Sequence, residues 1–183
     1  MFDQVELGDE TAAREVVENF PQMGRAQMTA FVRTLWQSNT YELQRAAAHI
    51  LAARAELLEP PDLAFVDGLL KKCDADELAA IVAGEALGTL TSKNKKVWRD
   101  LKKMAKAADA RLRRAAVRAC RIPVVADEAL FSRLQEIVEP LLEQGDEDED
   151  VLGTIDELLA AIAEHHADAA NELAARHGRS INS

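Results

Sequence analysis

Apolar residues recur at three- and four-residue intervals along almost the whole chain, and a turn signal interrupts them roughly every 15 residues. That period puts one apolar stripe on each of a series of short helices, and no alternating, strand-like segment competes with it. Pro21 precedes the first hairpin. Ser38 and Asn39 interrupt, and Asn39-Thr40-Tyr41-Glu42 reads as a helix cap with an acid three residues on. Pro60 and Pro61 stop a helix, Asp74-Ala75-Asp76-Glu77 caps the next, and Ser92-Lys93-Asn94 and Ala108-Asp109 mark two more starts. Pro123 closes a helix, Gly145 to Asp150 form a polar loop, and Gly178 ends the last helix.

The spacing predicts helices near 10–19, 24–37, 40–57, 61–72, 75–90, 94–107, 109–121, 127–144, 150–164 and 167–177. From residue 24 they pair through short connections into hairpins of roughly 35–40 residues. One such hairpin cannot bury its apolar face alone, but stacking buries it against its neighbours. The expectation is a single all-α domain over residues 1–183, a HEAT-like α–α superhelix of about ten helices. The second helix of each pair should line its concave face. Ala, Leu, Glu and Arg dominate and aromatics are 4%, which suits helices and not sheets.

Cys73 and Cys120 have no zinc-ligand spacing and read as reduced, half-buried thiols. No basic-then-apolar leader opens the chain and no apolar run approaches about 20 residues, so no signal peptide or membrane span is expected and a cytoplasmic location is the default. His49, His165, His166 and His177 form no ligand pattern. The His165-His166 pair reads as charge at a helix C-terminus. The acidic run Asp146 to Asp150 lacks the glycine and terminal glutamate of an EF-hand loop and reads as capping, so neither metal nor cofactor is expected.

Charge is unevenly spread. Residues 1–92 hold seven basic and fifteen acidic residues, net −8; residues 93–121 hold twelve and two, net +10; residues 122–183 hold three and fifteen, net −12. The whole chain, at −10, repels polyanions while one block attracts them locally. Within that block Arg111, Arg114, Arg118 and Arg121 are spaced three, four and three, a single helical stripe. On the second helix of its pair the stripe could face the groove and hold phosphates through forked hydrogen bonds, with Lys93, Lys95 and Lys96 adding contacts and Arg45 a further candidate. Two other readings stay open. The stripe could dock an acidic protein surface, or pair internally with Glu136, Glu139 and their neighbours.

Several stretches together resemble one family. Phe20-Pro21-Gln22-Met23-Gly24 resembles the Phe-Leu-Gly-Ile opening of AlkD-type DNA alkylation-repair glycosylases. Leu35-Trp36-Gln37-Ser38, then Tyr41-Glu42-Leu43-Gln44 and Ala46-Ala47-Ala48, resembles their Leu-Trp…Glu…Gln…Ala hairpin. Asp109-Ala110-Arg111-Leu112-Arg113-Arg114-Ala115-Ala116 resembles their Asn-x-Trp-Leu-x-Arg-Ala-Ala helix, with Arg114 on the family's arginine. The likeness runs over about residues 18–178. It implies a solenoid that cradles duplex DNA and hydrolyses the glycosidic bond of N3- and N7-alkylated purines. Such an enzyme uses a carboxylate beside the sugar and tryptophans against the deoxyribose.

The family's catalytic helix reads Trp-Trp-Asp-x-Val-Asp before a run ending in Leu-Gly. Counting back from Leu87-Gly88, this chain has Ala75, Asp76, Glu77, Leu78, Ala79 and Ala80. Ala80 stands at the catalytic aspartate, Arg111 at a tryptophan, and Thr154, Ile155 and Leu158 where the family carries Lys-Ala…Trp. Asp76 and Glu77, one turn (about 5 Å) before Ala80, are the remaining candidates for a relocated carboxylate. The sequence thus reads as a non-catalytic, repair-related binder of nucleic-acid backbone, with duplex DNA as partner. The alternatives are an active alkylpurine glycosylase using Asp76 or Glu77, and a protein-interaction scaffold.

Overall fold

The computed structural model describes residues 10–38, 40–143 and 148–181. The described residues are helical and contain no strand. The helices are α1 (Glu10–Asn19), α2 (Arg25–Gln37), α3 (Tyr41–Ala53), α4 (Leu63–Lys71), α5 (Asp76–Ile81), α6 (Gly88–Lys93), α7 (Val97–Met104), α8 (Ala110–Arg118), α9 (Arg121–Ala126), α10 (Phe131–Glu143), α11 (Glu149–Ala163) and α12 (Ala167–Arg176). A π-helical segment, Val82–Leu87, joins α5 to α6, so residues 76–93 form one continuous rod.

The helices sort into two rows. In the inner row α1 packs on α3, α3 on the rod, the rod on α8, and α8 on α11. Across the other side α2 packs on α3, α4 on the rod, α7 on α8, and α12 on α11. This is the HEAT-like solenoid that the hairpin period implies, with the second helix of each pair in the inner row. The inner helices approach closely because their facing residues are small. Ala47, Ala48, Ala79, Ala83, Ala86, Ala115, Ala116 and Ala119 are all buried. Larger side chains such as Met28, Trp98 and Leu134 fill the space between the rows.

The local signals hold at some ends and fail at others. Asp109 caps α8 by accepting from the Arg111 amide at 2.9 Å, and Asp148 caps α11 by accepting from the Asp150 amide at 3.0 Å. Gly178 has φ +67°, and the Arg179 amide bonds back to the Ala174 carbonyl at 2.9 Å, so a left-handed residue closes α12. The helix expected over 40–57 stops at Ala53, and residues 55–57 and 60–62 are 3₁₀ turns. Pro123 does not close a helix. It lies in the first turn of α9, where its missing N–H is not needed. The chain breaks instead at Ala119-Cys120, splitting the segment expected as one helix over 109–121. Pro140 stands inside α10 without ending it. The cap expected at Asn39 and the loop residues Gly145, Asp146 and Glu147 lie outside the described residues. The two thiols are fully buried, not half-buried: Cys73 is 2% exposed and Cys120 0%. Among the described residues no helix is long and apolar enough to cross a membrane.

Candidate functional site

The inner row bends around a cleft of about 660 Å³ that takes residues from α1, α3, the rod, α8, α9 and α11. Its walls are mostly small and aliphatic: Ala13, Val17, Ala52, Ala53, Ala80, Ile81 and Leu158. Its polar groups are Arg14, His49, Glu85, Arg118, Arg121, Thr154 and Glu157. The π segment widens the helix by a residue in its turn, and Gly84 and Glu85 of it line the cleft. Gly84 lies there, and a Cβ on it would meet nothing within 4 Å.

Three of the positions singled out by the family resemblance converge on this cleft. Ala80 lies on one wall, with Thr154 and Leu158 on another. The Thr154 hydroxyl donates to the Asp150 carbonyl of its own helix at 2.8 Å, which uses its proton. Both tryptophans of the chain, Trp36 and Trp98, are core residues at 4% and 2% exposure, and neither lines the cleft.

Asp76 and Glu77 do not line the cleft. They start α5, and their carboxylates turn to neighbouring helices instead of capping the backbone. Asp76 Oδ1 is 3.0 Å from Arg114 Nη2, and Asp76 Oδ2 accepts from Arg118 Nη2 at 3.1 Å. Burial pushes the Asp76 carboxyl up, but Arg118 and Arg114 more than offset it and hold it below the usual range. Glu77 accepts from Tyr41 Oη at 2.6 Å and lies 3.2 Å from Arg45 Nε. The hydrogen bond from Tyr41 is the main reason its carboxyl also lies low.

The arginine stripe is present, and each member meets carboxylates. Arg114, with a side chain 9% exposed, sits between helix starts. It reaches Asp76 on one side and Asp150 (3.2 Å) and Asp148 (3.6 Å) on the other. Arg111 bonds to Asp109 at 2.9 Å, to Asp74 at 3.2 Å and to the Cys73 carbonyl at 2.7 Å. Arg121, on α9, bonds to Glu85 at 2.6 Å. Only Arg118 and Arg121 of the four line the cleft. Glu136 and Glu139, the internal partners for the stripe in one sequence reading, pair with Lys102 and Arg176 instead. Lys93 donates to the Glu56 and Leu58 carbonyls at 2.6 and 2.7 Å and so ties down the 3₁₀ segment. Lys95 and Lys96 are exposed on the turn before α7.

These contacts share a period. Arg25–Asp62, Arg111–Asp74, Arg114–Asp76, Arg114–Asp150, Arg121–Glu85 and Arg176–Glu139 are separated by 37, 37, 38, 36, 36 and 37 residues. Each spans one repeat, so a charge ladder ties successive hairpins together. Opposite charges one repeat apart are the sequence signal that would have found Glu85 and the partners of the stripe. The π segment and the cleft contributions of Arg14, His49 and Glu157 leave no such mark. Among the described residues no cluster of His, Cys, Asp or Glu could hold a metal, and His166 Nε2 lies 3.0 Å from the Val125 carbonyl.

No curated protein and no solved structure matches the chain. The family model described as "DNA alkylation repair enzyme" matches residues 10–183. The repeat architecture and nearly the whole sequence agree, and the chain belongs to the DNA alkylation repair enzyme family.

Proposed function

We propose that this chain is a repair-related binder that holds nucleic-acid backbone at its inner cleft without excising a base. The observation that carries this reading is the chemistry of the cleft. Ala80, which offers no carboxylate, occupies the wall where the resemblance expects one, and Thr154 and Leu158 stand where it expects a lysine and a tryptophan. Asp76 and Glu77 are held by Arg114, Arg118, Tyr41 and Arg45, so neither is free to stabilise a developing oxocarbenium ion. Phosphate contacts would fall to the cations at the cleft mouth, Arg14, Arg118 and Arg121. Arg114 is instead a structural tie, and Arg111 acts with it outside the cleft. Arg45 would contribute from α3 of the inner row, whereas Lys95 and Lys96 lie outside the cleft, on the turn before α7.

The test is binding of a fluorescent DNA duplex, with and without N7-methylguanine, over a salt series. Wild type should bind with steep salt dependence and release no base. Arg121→Glu should reduce the slope of log K against log salt by about one for each phosphate it no longer neutralises. Ala80→Asp restores a carboxylate to the wall and should leave binding intact. Base release by wild type would overturn the non-catalytic reading in favour of a relocated carboxylate. Absence of binding at low salt would overturn the nucleic-acid reading.

The ladder favours a second reading, a helical-repeat scaffold for a protein partner. Cations already matched by carboxylates gain less from a new anion. Binding that is insensitive to salt, or absent from DNA, points to it.

A further inference from the structure

The basic block that gives residues 93–121 their net charge of +10 has two sides, and the structure treats them differently. Arg111, Arg114, Arg118 and Arg121 meet carboxylates, Arg113 donates to the Ala107 and Ala108 carbonyls, and Lys93 holds the 3₁₀ segment. The remaining cations lie around α7, in the other row. With roughly 100° of turn per residue, Lys95, Lys96, Arg99, Lys102, Lys103 and Lys106 fall within an arc of about 120°. Lys96 and Ala105, which flank the helix, also have right-handed helical dihedrals, so the arc runs on past both ends. The opposite arc carries Val97, Trp98, Leu101 and Ala105, all buried.

Lys102 pairs with Glu136 of α10, and Lys103 lies 3.5 Å from Asp100 of its own helix. Lys95, Lys96, Arg99 and Lys106 are exposed, and no carboxylate of the described residues pairs with them. This is the densest unmatched positive charge among the described residues of a chain whose net charge is −10.

Beside this stripe runs a groove of about 390 Å³ between α4 and α7. Its floor is apolar, formed by Leu63, Leu87, Met104 and Leu112, and the exposed Ala64 stands on its rim. On its rim Asp67 is bonded to Lys71 at 2.6 Å and Asp100 faces Lys103. No aromatic side chain lines it, so it offers no platform for a base. A thioether floor adapts to aliphatic guests.

We propose that the outer face of α7, with the groove it forms against α4, docks an acidic amphipathic segment of a partner protein. Aliphatic side chains of that segment fill the groove, and its carboxylates lie along Lys95, Arg99 and Lys106. Charge complementarity selects an anionic guest, and the apolar floor selects a peptide over a nucleic-acid strand, whose backbone has nothing to bury there.

The test uses the full chain and three fluorescent probes: a short peptide of Asp, Glu and Leu, a poly-Glu peptide of equal charge, and a short DNA duplex. Anisotropy should show the Leu-containing peptide bound more tightly than poly-Glu. The combined Lys95→Glu, Arg99→Glu and Lys106→Glu variant should weaken it by about tenfold or more. Ala64→Trp, which fills the groove from its rim, should weaken the Leu-containing peptide and leave poly-Glu unchanged. Arg121→Glu, in the cleft, should leave peptide binding unchanged, which separates this surface from the inner one. No peptide binding, equal affinity for the two peptides, or a DNA complex abolished by the α7 substitutions while the peptide does not bind would each overturn the proposal.

Discussion

Replacing Arg114 by Met tests whether the α8 arginines hold the repeats together or stand ready for a ligand. The substitution keeps an aliphatic stem and removes the guanidinium. Three carboxylates then lose a partner: Asp76 at 3.0 Å, Asp150 at 3.2 Å and Asp148 at 3.6 Å. Breaking a buried ion pair by removing one member costs about 3–5 kcal/mol, because the orphaned charge stays in a medium that solvates it poorly. Here Arg114 is 9% exposed, but its partners are 48%, 82% and 31% exposed, and Asp76 keeps Arg118 at 3.1 Å. Water therefore recovers much of the orphaned charge, and the expected cost is about 1.5–2.5 kcal/mol. In a domain of this size that lowers Tm by roughly 3–10 °C. Arg121→Met breaks a pair in which both side chains are over two-fifths exposed, and should cost less than about 1 kcal/mol. Urea titrations followed by circular dichroism measure both variants. A double-mutant cycle with Asp76→Asn isolates the pair. Equal, small effects in Arg114→Met and Arg121→Met would refute the ladder as a structural device.

Acid should weaken the fold through the same contacts. The carboxyls of Asp62 (by its hydrogen bond from Arg25), Asp109 (by its hydrogen bond from Arg111), Glu77 and Asp76 all lie below their ordinary values. The stability they contribute is complete above the unfolded carboxylate range, at about pH 5 and higher. It is lost as pH falls through and below about pH 4, which thermal melts in a pH series will read. Asp62→Asn should flatten part of that slope, and an unchanged slope would refute its share. Gly84→Ala adds a Cβ in open space and should stabilise by about 0.5–1 kcal/mol through helix propensity. Gly88→Ala should gain less, because its Cβ would stand 3.2 Å from Ile122 Cδ1, and denaturant midpoints rank the two. Cys120 is fully buried, its thiol pushed far up by desolvation, and Cys73 is 2% exposed. Neither should react with a thiol reagent until the chain unfolds, as labelling against denaturant will show.

Most of the helices and their repeat stacking follow from the chain alone. Apolar spacing, Asp109, Asp148 and Gly178 act within a few residues of themselves, and physics over that range is written along the sequence. The 36-to-38-residue pairing of charges is also legible in principle, because a repeat turns distance in space into distance in sequence. The departures from the family resemblance at Ala80, Thr154 and Leu158 are readable one position at a time. That these three meet in a single cleft, while Arg111 lies outside it, requires the packed inner row. Arg111, Arg114, Arg118 and Arg121 show as a stripe in the sequence, but their surroundings do not. A one-dimensional pattern gives the face on which a charge sits, not the carboxylates that neighbouring helices bring to it. Helix packing encloses Arg114 between Asp76 and Asp150, and the same packing leaves the unmatched charge of the block on the far side, around α7. Ion pairing falls off within a few ångströms, so which cations remain available is fixed by how helices distant in sequence come together.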